Sequence, residues 1–273
     1  WSSEEIKMKI GFIGLGNMGG SLTRLVAQDE RYRNDLLLAN RSLEKAEKIA
    51  AEVGGQPVSN AEVFSQAEVI FLGIKPAQFA DLLAEYQEIL EKRESLLLVS
   101  MAAGLPLETL EKLIPRHHRW IRIMPNTPVA VGEGVITYAL SQQANQADED
   151  LLRELLSSAG LLVKLEEKQL DAATALAGCG PAFVYLFIEA LADAGVRAGL
   201  SRDISLQLAN QTLLGAAKLS QISGQHPAQL KDQVCSPAGS TIAGVASLEE
   251  NAFRGTVMAA VQAAYQRTQE LGK

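Results

Sequence analysis

The amino-acid sequence predicts an α/β domain followed by an all-helical domain. Short apolar runs alternate with amphipathic stretches up to Glu166, which is typical of a parallel sheet covered by helices. After Glu166 the strand-like runs stop and only helical periodicity remains. We therefore expect the first domain over residues 8–166 and the second over residues 167–273.

The short apolar runs of the first domain are its predicted strands, because strands buried on both faces of a parallel sheet form continuous apolar runs. The predicted strands are Lys9–Ile13, Leu36–Ala39, Val69–Ile74, Leu96–Met101, Trp120–Met124, Val135–Ala139 and Leu161–Leu165. The amphipathic stretches between the early strands predict the helices Met18–Gln28, Leu43–Val53, Phe79–Leu90 and Pro106–Leu113. Residues 1–7 precede the first strand, and we interpret them as a leader outside the fold.

The second domain is predicted to contain helices only. They are Leu170–Leu176, Pro181–Ala198, Ser201–Ser220, Pro227–Gln233, Thr241–Glu250 and Phe253–Leu271. The helix that begins at Pro181 carries apolar residues on nearly every face up to Ala192, and such a helix must be buried all round. It is either the central helix of a bundle or a helix partly covered by a second subunit. We favour the second alternative.

The composition argues against several classes of partner. The 32 acidic residues outnumber the 25 basic residues and give a net charge of −7, which disfavours nucleic acid and anionic membranes. No apolar run predicts a membrane-spanning helix. Cys179 and Cys235 share no CxxC spacing, and the 3 histidines add no ligand pattern, so no metal is predicted. This cysteine usage fits a reducing, cytoplasmic setting.

A glycine-rich loop after the first predicted strand indicates a dinucleotide site. Gly14, Gly16 and Gly19 form the pattern GxGxxG between a strand and a helix. Gly14 permits the tight turn, Gly16 lets the backbone approach a pyrophosphate, and Gly19 lets the helix pack on the sheet. The helix N-terminus offers free N–H groups to the phosphates. A glycine-rich turn without a ligand is the alternative, but the flanking strand and helix favour a Rossmann-like dinucleotide-binding domain.

The end of the second strand indicates which dinucleotide binds. NAD-specific enzymes usually carry an acidic residue there, which holds the ribose hydroxyls. Here the strand ends in Asn40, Arg41 and Ser42. Arg41 can pair with a 2′-phosphate, and its neighbours can add hydrogen bonds. NADPH is therefore the predicted cofactor and NADH remains possible, since Arg41 could also be a solvated loop cation.

Three further segments follow later strands, at the edge of the sheet where a nicotinamide would lie. They are Gly73–Pro76, Met101–Gly104 and Met124–Pro128. Small residues in them permit close approach of a cofactor, and the Pro–Asn–Thr–Pro turn can hold the Asn126 amide against a carboxamide. Each segment alone would be an ordinary loop, and their shared position favours a cofactor site.

Two loops of the helical domain are rich in small residues. One opens the apolar helix and runs from Ala175 to Phe183, and the other runs from Cys235 to Gly244. Free N–H groups at Gly239, Ser240 and Thr241, at the start of a helix, would form an anion site of carboxylate size. The alternative is a plain helix cap that uses the Ser240 hydroxyl, and residue chemistry alone slightly favours the cap.

From Met8 to nearly its end, the sequence resembles the pyrroline-5-carboxylate reductases. The matching blocks are GFIGLGNMG, the strand end Asn40–Arg41, GIKP, SMAAG, RIMPNTP, ALAGCGPAF, the segment 194–200 and HPAQLKDQVCSPAGSTIAG. The first block occurs in several dehydrogenase families, whereas the last is specific to this one. The resemblance implies NAD(P)H-dependent reduction of 1-pyrroline-5-carboxylate to L-proline, the final step of proline biosynthesis. It also implies homodimers built through the helical domain.

The resemblance also implies site residues. The implied cofactor contacts are Gly14, Leu15, Gly16, Asn17, Met18, Gly19, Asn40, Arg41, Ser42, Asn60, Gly73, Ile74, Lys75, Pro76, Met101, Ala102, Ala103 and Asn126. The implied substrate contacts are Glu167, Gly178, Cys179, Gly180, Ser236, Gly239, Ser240 and Thr241, the last four from a neighbouring subunit. We expect the Thr241 hydroxyl to bind the imine nitrogen as the catalytic group.

Two positions depart from the family pattern. Cys179 stands where the family commonly has serine, and Ala238 stands where it commonly has glycine. We expect the backbone of Ala238 to avoid a positive φ, which would shift the loop slightly.

Two other functions are possible from the sequence. A β-hydroxyacid dehydrogenase shares the glycine block, but those enzymes carry a catalytic lysine in the helix that corresponds to Pro181–Ile188, and this chain has none there. A dinucleotide-binding regulator without catalysis would not need the complete substrate loop Ser236–Thr241.

Overall fold

The fold is described by a computed structural model that covers residues 8–271. The predicted leader, residues 1–7, lies outside the described residues. The chain forms two compact units. The first contains the described residues up to Gly178 and those from Tyr265 onward, and the second is Cys179–Ala264.

The first unit is built on a sheet of 8 strands in the order β3-β2-β1-β4-β5-β6-β7-β8. The strands are β1 Ile10–Ile13, β2 Leu36–Ala39, β3 Gln56–Pro57, β4 Val69–Leu72, β5 Leu97–Ser100, β6 Arg119–Pro125, β7 Gly134–Leu140 and β8 Gly160–Lys164. All seven predicted strands are confirmed. The two-residue β3 was not predicted because its residues are exposed and lack an apolar run.

The predicted parallel sheet has one exception, because β7 runs antiparallel to β6. A parallel neighbour needs a crossover of a dozen or more residues. Only the short 3₁₀ turn Thr127–Val131 joins these two strands, so the chain reverses. Strand β8 follows a crossover through a helix and is parallel to β7 again.

Helices of the first unit cover both faces of this sheet. They are α1 Asn17–Val26, α2 Glu30–Arg33, α3 Leu43–Val53, α4 Asn60–Gln66, α5 Phe79–Glu85, α6 Gln87–Lys92, α7 Leu107–Lys112, α8 Gln146–Leu155 and α9 Leu170–Ala173. The predicted helix Phe79–Leu90 is divided at Tyr86, where the backbone leaves helical geometry. Helices α4 and α8 were missed, although each begins with a capping box, at Ser59 and at Asn145.

Two apolar cores lie on opposite faces of the sheet because side chains alternate along each strand. On one face Phe12 stacks on Phe71 with ring centroids 4.8 Å apart. On the other, Gly11 leaves room for Val63, since a β-carbon at Gly11 would overlap the Val63 side chain. Both cores hold β1 and β4 rigidly in the centre, and the carboxyl ends of these strands position the glycine loop.

The second unit contains helices only, as predicted. They are α10 Gly180–Arg197, α11 Arg202–Ser223, α12 Pro227–Val234, α13 Ser240–Glu250 and α14 Phe253–Leu271, of which the last continues into the first unit. Helices α10 and α11 pack closely where Gly195 meets Ser205. Large apolar side chains stay open to solvent in the single chain, for example Leu186 at 68% and Met258 at 67% exposure.

The helical segment Glu167–Arg197 is long and apolar enough to cross a membrane by length and composition alone. The sequence analysis predicted no such segment because Glu189 interrupts the apolar run. The same length and composition occur in core helices of water-soluble proteins, so this property by itself does not indicate a membrane.

Candidate active site

The glycine loop joins β1 to α1 at the carboxyl edge of the sheet. Gly14 has a φ of 90°, and a β-carbon there would lie 2.6 Å from the carbonyl oxygen of Gly73. A β-carbon on Gly73 would crowd the carbonyl oxygen of Gly14 in the same way, so Gly14 and Gly73 both require glycine. A β-carbon on Gly16 would meet no protein atom within 4 Å, so the backbone at Gly16 is open to a ligand. The loop has the shape and the free helix N-terminus that a pyrophosphate requires.

Asn40 ties the end of β2 to this loop. Its Oδ1 accepts a hydrogen bond from the Leu15 backbone N–H at 2.9 Å, and its Nδ2 donates to the Ser42 carbonyl at 3.2 Å. The sequence analysis predicted Asn40 only as a cofactor contact. This side chain therefore shapes the loop, and one Nδ2 hydrogen is left for a ligand.

A cleft of about 520 Å³ lies beside the glycine loop. Its lining contains the predicted residues Gly14, Gly16, Asn40, Arg41, Asn60, Gly73, Ile74 and Lys75. Five further residues of the lining were not predicted: Ile13, Gln78, Asp81, Leu82 and Glu85. Their only signal in the sequence is that they end β1 or begin the helical stretch after the Gly73–Pro76 segment.

Arg41 is exposed at one end of this cleft. Within residues 8–271, no hydrogen bond or ion pair engages its guanidinium. Ser42 occupies the N-cap position of α3, and its hydroxyl does not cap the helix. Both side chains are therefore available to an anionic group at the cleft, as the NADPH prediction requires.

Two of the three predicted nicotinamide segments start at one level of the sheet. The last residue of β1, Ile13, is paired with Leu72 of β4, and Leu72 is paired with Ser100 of β5. The segments that begin at Gly73 and Met101 therefore emerge side by side. A β-carbon on Gly73 would lie 3.0 Å from the Met101 methyl carbon. Pro76, Met101, Ala102 and Ala103 do not belong to the cleft lining, although they follow the same strand ends.

Asn126 follows β6, and both ends of its amide are engaged. Its Oδ1 accepts from the Val135 N–H at 2.8 Å, and its Nδ2 donates to the Ala177 carbonyl at 3.0 Å. Asn126 is buried. The predicted contact with a carboxamide can use one remaining Nδ2 hydrogen. The link to Ala177 was not predictable, because it joins residues 51 apart in the sequence.

The Glu167 carboxylate is anchored within the first unit. Its Oε1 accepts from the Leu107 backbone N–H at 2.7 Å and from Arg122 Nη1 at 3.2 Å. Arg122 Nη2 also lies 3.7 Å from Asp171 Oδ1. The sequence analysis predicted Glu167 as a substrate contact and missed Arg122, which reads as one residue of an apolar strand.

The prediction of a loop over Ala175–Phe183 is wrong, because a π-helical turn, Thr174–Gly178, leads to α10 at Gly180 and only Cys179 lies between them. π-turns inside α-helices occur frequently at functional sites. Cys179 and Cys235 are both free thiols and partly buried. In the part of the chain that the structure describes, no group of three or more potential metal ligands comes together.

The second small-residue loop, Ser236–Thr241, differs from expectation in three respects. Gly239 is the N-cap of α13, and no side chain caps this helix, so the alternative of a Ser240 cap is wrong. The Gly239 N–H is not free, because it donates to the Ser236 carbonyl at 3.0 Å. Ala238 has a φ of 57°, so the expectation that it avoids a positive φ is also wrong.

Local geometry explains these differences. The hydrogen bond between Gly239 and Ser236 closes a tight turn, in which Ala238 is the third residue and has the positive φ that type II turns place at this position. Alanine reaches this conformation at a cost of about 1–2 kcal/mol. Of the three N–H groups predicted for an anion site, the Gly239 N–H is therefore engaged, and those of Ser240 and Thr241 remain at the uncapped N-terminus of α13.

Two family models match the chain. Residues 167–271 match the family described as pyrroline-5-carboxylate reductase dimerisation, and residues 9–104 match the family described as NADP oxidoreductase, coenzyme F420-dependent.

Full-length similarity extends to named reductases. A pyrroline-5-carboxylate reductase from Pisum sativum is 43% identical over 96% of this chain and 95% of its own length. The crystal structure of a Plasmodium falciparum pyrroline carboxylate reductase with NADP bound is 36% identical, with a TM-score of 0.86, and covers 97% of this chain and 98% of that chain. A pyrroline-5-carboxylate reductase from Coxiella burnetii is 30% identical, with a TM-score of 0.90, and covers 98% and 99%.

Three observations agree. The sequence identity extends over nearly the whole of both chains, a cleft lies beside the glycine loop, and the helical segment matches the dimerisation family. The chain belongs to the pyrroline-5-carboxylate reductase family, whose members reduce 1-pyrroline-5-carboxylate to L-proline with NAD(P)H.

Proposed function

We propose that this chain reduces 1-pyrroline-5-carboxylate to L-proline with NADPH held at the glycine loop, in the final step of proline biosynthesis. The observation that carries this proposal is the open cleft beside Gly16, with an unpaired Arg41 at its end, in a member of this family. When bound, NADPH supplies the hydride, and the protein supplies orientation and electrostatics.

The residues around the cleft fit NADPH. The α1 N-terminus and the bare backbone at Gly16 suit a pyrophosphate. Arg41 suits a 2′-phosphate, and the end of β2 has no acidic residue that would repel one. The related Plasmodium falciparum structure contains NADP. We assign the cofactor contacts to the residues that the sequence analysis named, with Asn40 and Asn126 each contributing one N–H.

The substrate is assigned to the two small-residue loops and to Glu167. In this proposal the substrate carboxylate accepts from the N–H groups of Ser240 and Thr241, which stay available because no side chain caps α13. The Thr241 hydroxyl donates to the ring nitrogen. Orienting the ring in this way holds the imine carbon toward the nicotinamide, and protonation of the imine makes that carbon electrophilic. The remaining substrate contacts are Gly178, Cys179, Gly180, Ser236 and Gly239.

We further propose that the active form is a homodimer or a larger homo-oligomer assembled through the helical domain. The matched dimerisation family and the exposed apolar side chains of α10 and α14 support this assembly. In it, residues 8–166 form the nucleotide domain and residues 167–273 form the domain that associates. A neighbouring subunit contributes the loop Ser236–Thr241. The acidic net charge and the free cysteines support a cytoplasmic protein without nucleic-acid or membrane partners.

The two alternative functions are not favoured by these comparisons. A β-hydroxyacid dehydrogenase would need a lysine near the start of α10, and none lies between Pro181 and Ile188. A non-catalytic regulator would not require similarity to named reductases along the whole chain.

Isotope transfer tests the proposed reaction. NADPH that carries deuterium on the transferred position of C4 should yield proline that is heavier by one mass unit, with the label on ring carbon 5. Product without the label would overturn direct hydride transfer from the cofactor. The Thr241→Ala variant, assayed in parallel, should give labelled product more slowly.

A further inference from the structure

Two side chains, one within β6 and one directly after it, contact the segment that leads into α10. Arg122 lies within the strand, and Asn126 follows its end on the same face, because alternate residues of an extended chain point the same way. Arg122 contacts Glu167 and Asp171, and Asn126 contacts the carbonyl of Ala177. The segment 167–177 is therefore held to one strand near both of its ends.

The position of Arg122 along the sheet relates it to the cofactor edge. It is paired with Ser100, the last residue of β5, and Ser100 is level with the ends of β4 and β1. Arg122, which holds Glu167, therefore lies at the level of the sheet where the segments beginning at Gly73 and Met101 leave their strands.

The burial of Arg122 makes this contact hard to replace. Arg122 is 4% exposed, and a buried cation requires compensating partners. Its carboxylate partners both come from one short stretch, Glu167 at 3.2 Å and Asp171 at 3.7 Å. A shift of that stretch would leave the guanidinium without a counter-charge, so the ion pairs fix the position of the stretch.

The same contacts orient the Glu167 carboxylate. Both donors, the Leu107 N–H and Arg122 Nη1, converge on Oε1. Among the residues that the structure describes, no donor engages Oε2. The side chain of Glu167 remains 31% exposed. Oε1 is thus anchored, and Oε2 stays available to a ligand on a partly exposed side chain.

We propose that Arg122 is a positioning residue for imine reduction. It holds Oε1 of Glu167 and thereby fixes the position of Oε2. Together with Asn126 it also fixes the segment that leads into residues 178–180. This inference rests on the proposed placement of the substrate at Glu167 and those residues. Arg122 acts on the substrate only through these groups and does not touch the cofactor.

Kinetics of Arg122→Met, with Arg119→Met as the matched control, test this proposal. Arg119 lies on the same strand and pairs with Asp148 at 3.1 Å, away from the segment 167–177. We expect Arg122→Met to raise KM for the imine by about tenfold or more, because orienting contacts are lost. The Kd for NADPH, measured by titration of the free enzyme, should stay within about twofold in both variants. Arg119→Met should leave both constants unchanged.

Two further variants keep the test decisive. Arg122→Lys keeps the buried charge without the forked geometry and should recover most of the lost imine affinity, even if Arg122→Met folds poorly. In a Glu167→Gln background, Arg122→Met should add less than about threefold to KM, because both changes remove one shared contact.

Different results would overturn the positioning role of Arg122 and the placement of the substrate at Glu167. If Glu167→Gln raises KM for the imine but Arg122→Met and Arg122→Lys match the wild type, the positioning role is overturned. It is also overturned if Arg122→Met weakens NADPH binding as much as imine binding. If Glu167→Gln leaves KM unchanged, the proposed substrate placement is overturned and the inference with it.

Discussion

Replacement of Arg41 by alanine should abolish most of the preference for NADPH over NADH. The guanidinium is exposed and unpaired within the described residues, so it breaks no internal ion pair when it binds a 2′-phosphate. A charge-assisted contact contributes about 1.5–3 kcal/mol, and exposure to solvent places this one near the lower end. The expected loss is therefore about tenfold in the NADPH/NADH ratio of kcat/KM.

The assay compares kcat/KM for the two cofactors at saturating imine in the wild type, Arg41→Ala, Arg41→Lys and Arg153→Ala. Arg153 pairs with Glu149 and does not belong to the cleft lining, so its removal controls for the loss of one positive charge. We expect the change to appear in KM for NADPH, to leave the NADH constants unchanged and to be partly reversed by lysine. An NADPH/NADH ratio in Arg41→Ala equal to that of the wild type would refute the assignment of the 2′-phosphate to Arg41.

The remaining predictions concern the substrate loop, the cysteines, the assembly and pH. Thr241→Ala should lower kcat/KM for the imine about two- to a hundredfold, because one hydrogen bond is lost. Gly239→Val should lower it further, because a side chain there would overlap Ser236. Unchanged imine kinetics in both variants would contradict the proposed substrate site. A Cys179→Ser, Cys235→Ser double variant should keep turnover within about tenfold, since hydride transfer needs no thiolate; inactivity of the folded variant would count against this. Light scattering at micromolar concentration should show no monomer, and an active monomer would refute the proposed assembly. Burial lowers the pKa of His118, whose neutral ring accepts from the Leu96 N–H. The folded state therefore binds this proton less readily than the unfolded state, so the contribution of His118 to the free energy of unfolding should be complete above about pH 6.5 and decrease as the pH falls below that value. Urea titrations at several pH values should show this slope in the wild type and a smaller one in His118→Gln, and equal slopes would exclude His118 as the cause.

Patterns local in sequence predicted most of the fold. Strands β1, β2 and β4 are continuous apolar runs that predict them directly, and β6 was still predicted because Arg122 is the single charged residue inside its apolar run. The glycine loop was predictable for the same reason, because its strand, turn and helix are consecutive. The reversal of β7 was missed, although the shortness of the connection from Asn126 to Glu133 is visible in the sequence and determines it.

The contacts that shape the site could not be predicted in the same way. The hydrogen bond from Asn126 to Ala177 and the ion pair of Arg122 with Glu167 join segments that only the folded sheet brings together. Ala238 illustrates a different limit. Its residue type argues against a positive φ, but Ala238 is the third residue of the turn that the Gly239–Ser236 hydrogen bond closes, and the cost of a positive φ is modest for alanine.

The central claim, that the glycine-loop cleft and the helical domain together make an NADPH-dependent imine reductase, is tested most directly by steady-state oxidation of NADPH. The purified chain should oxidise NADPH only when 1-pyrroline-5-carboxylate is present, and it should form one L-proline for each NADPH consumed. Failure of the folded, NADPH-binding protein to consume NADPH on addition of 1-pyrroline-5-carboxylate would contradict the claim.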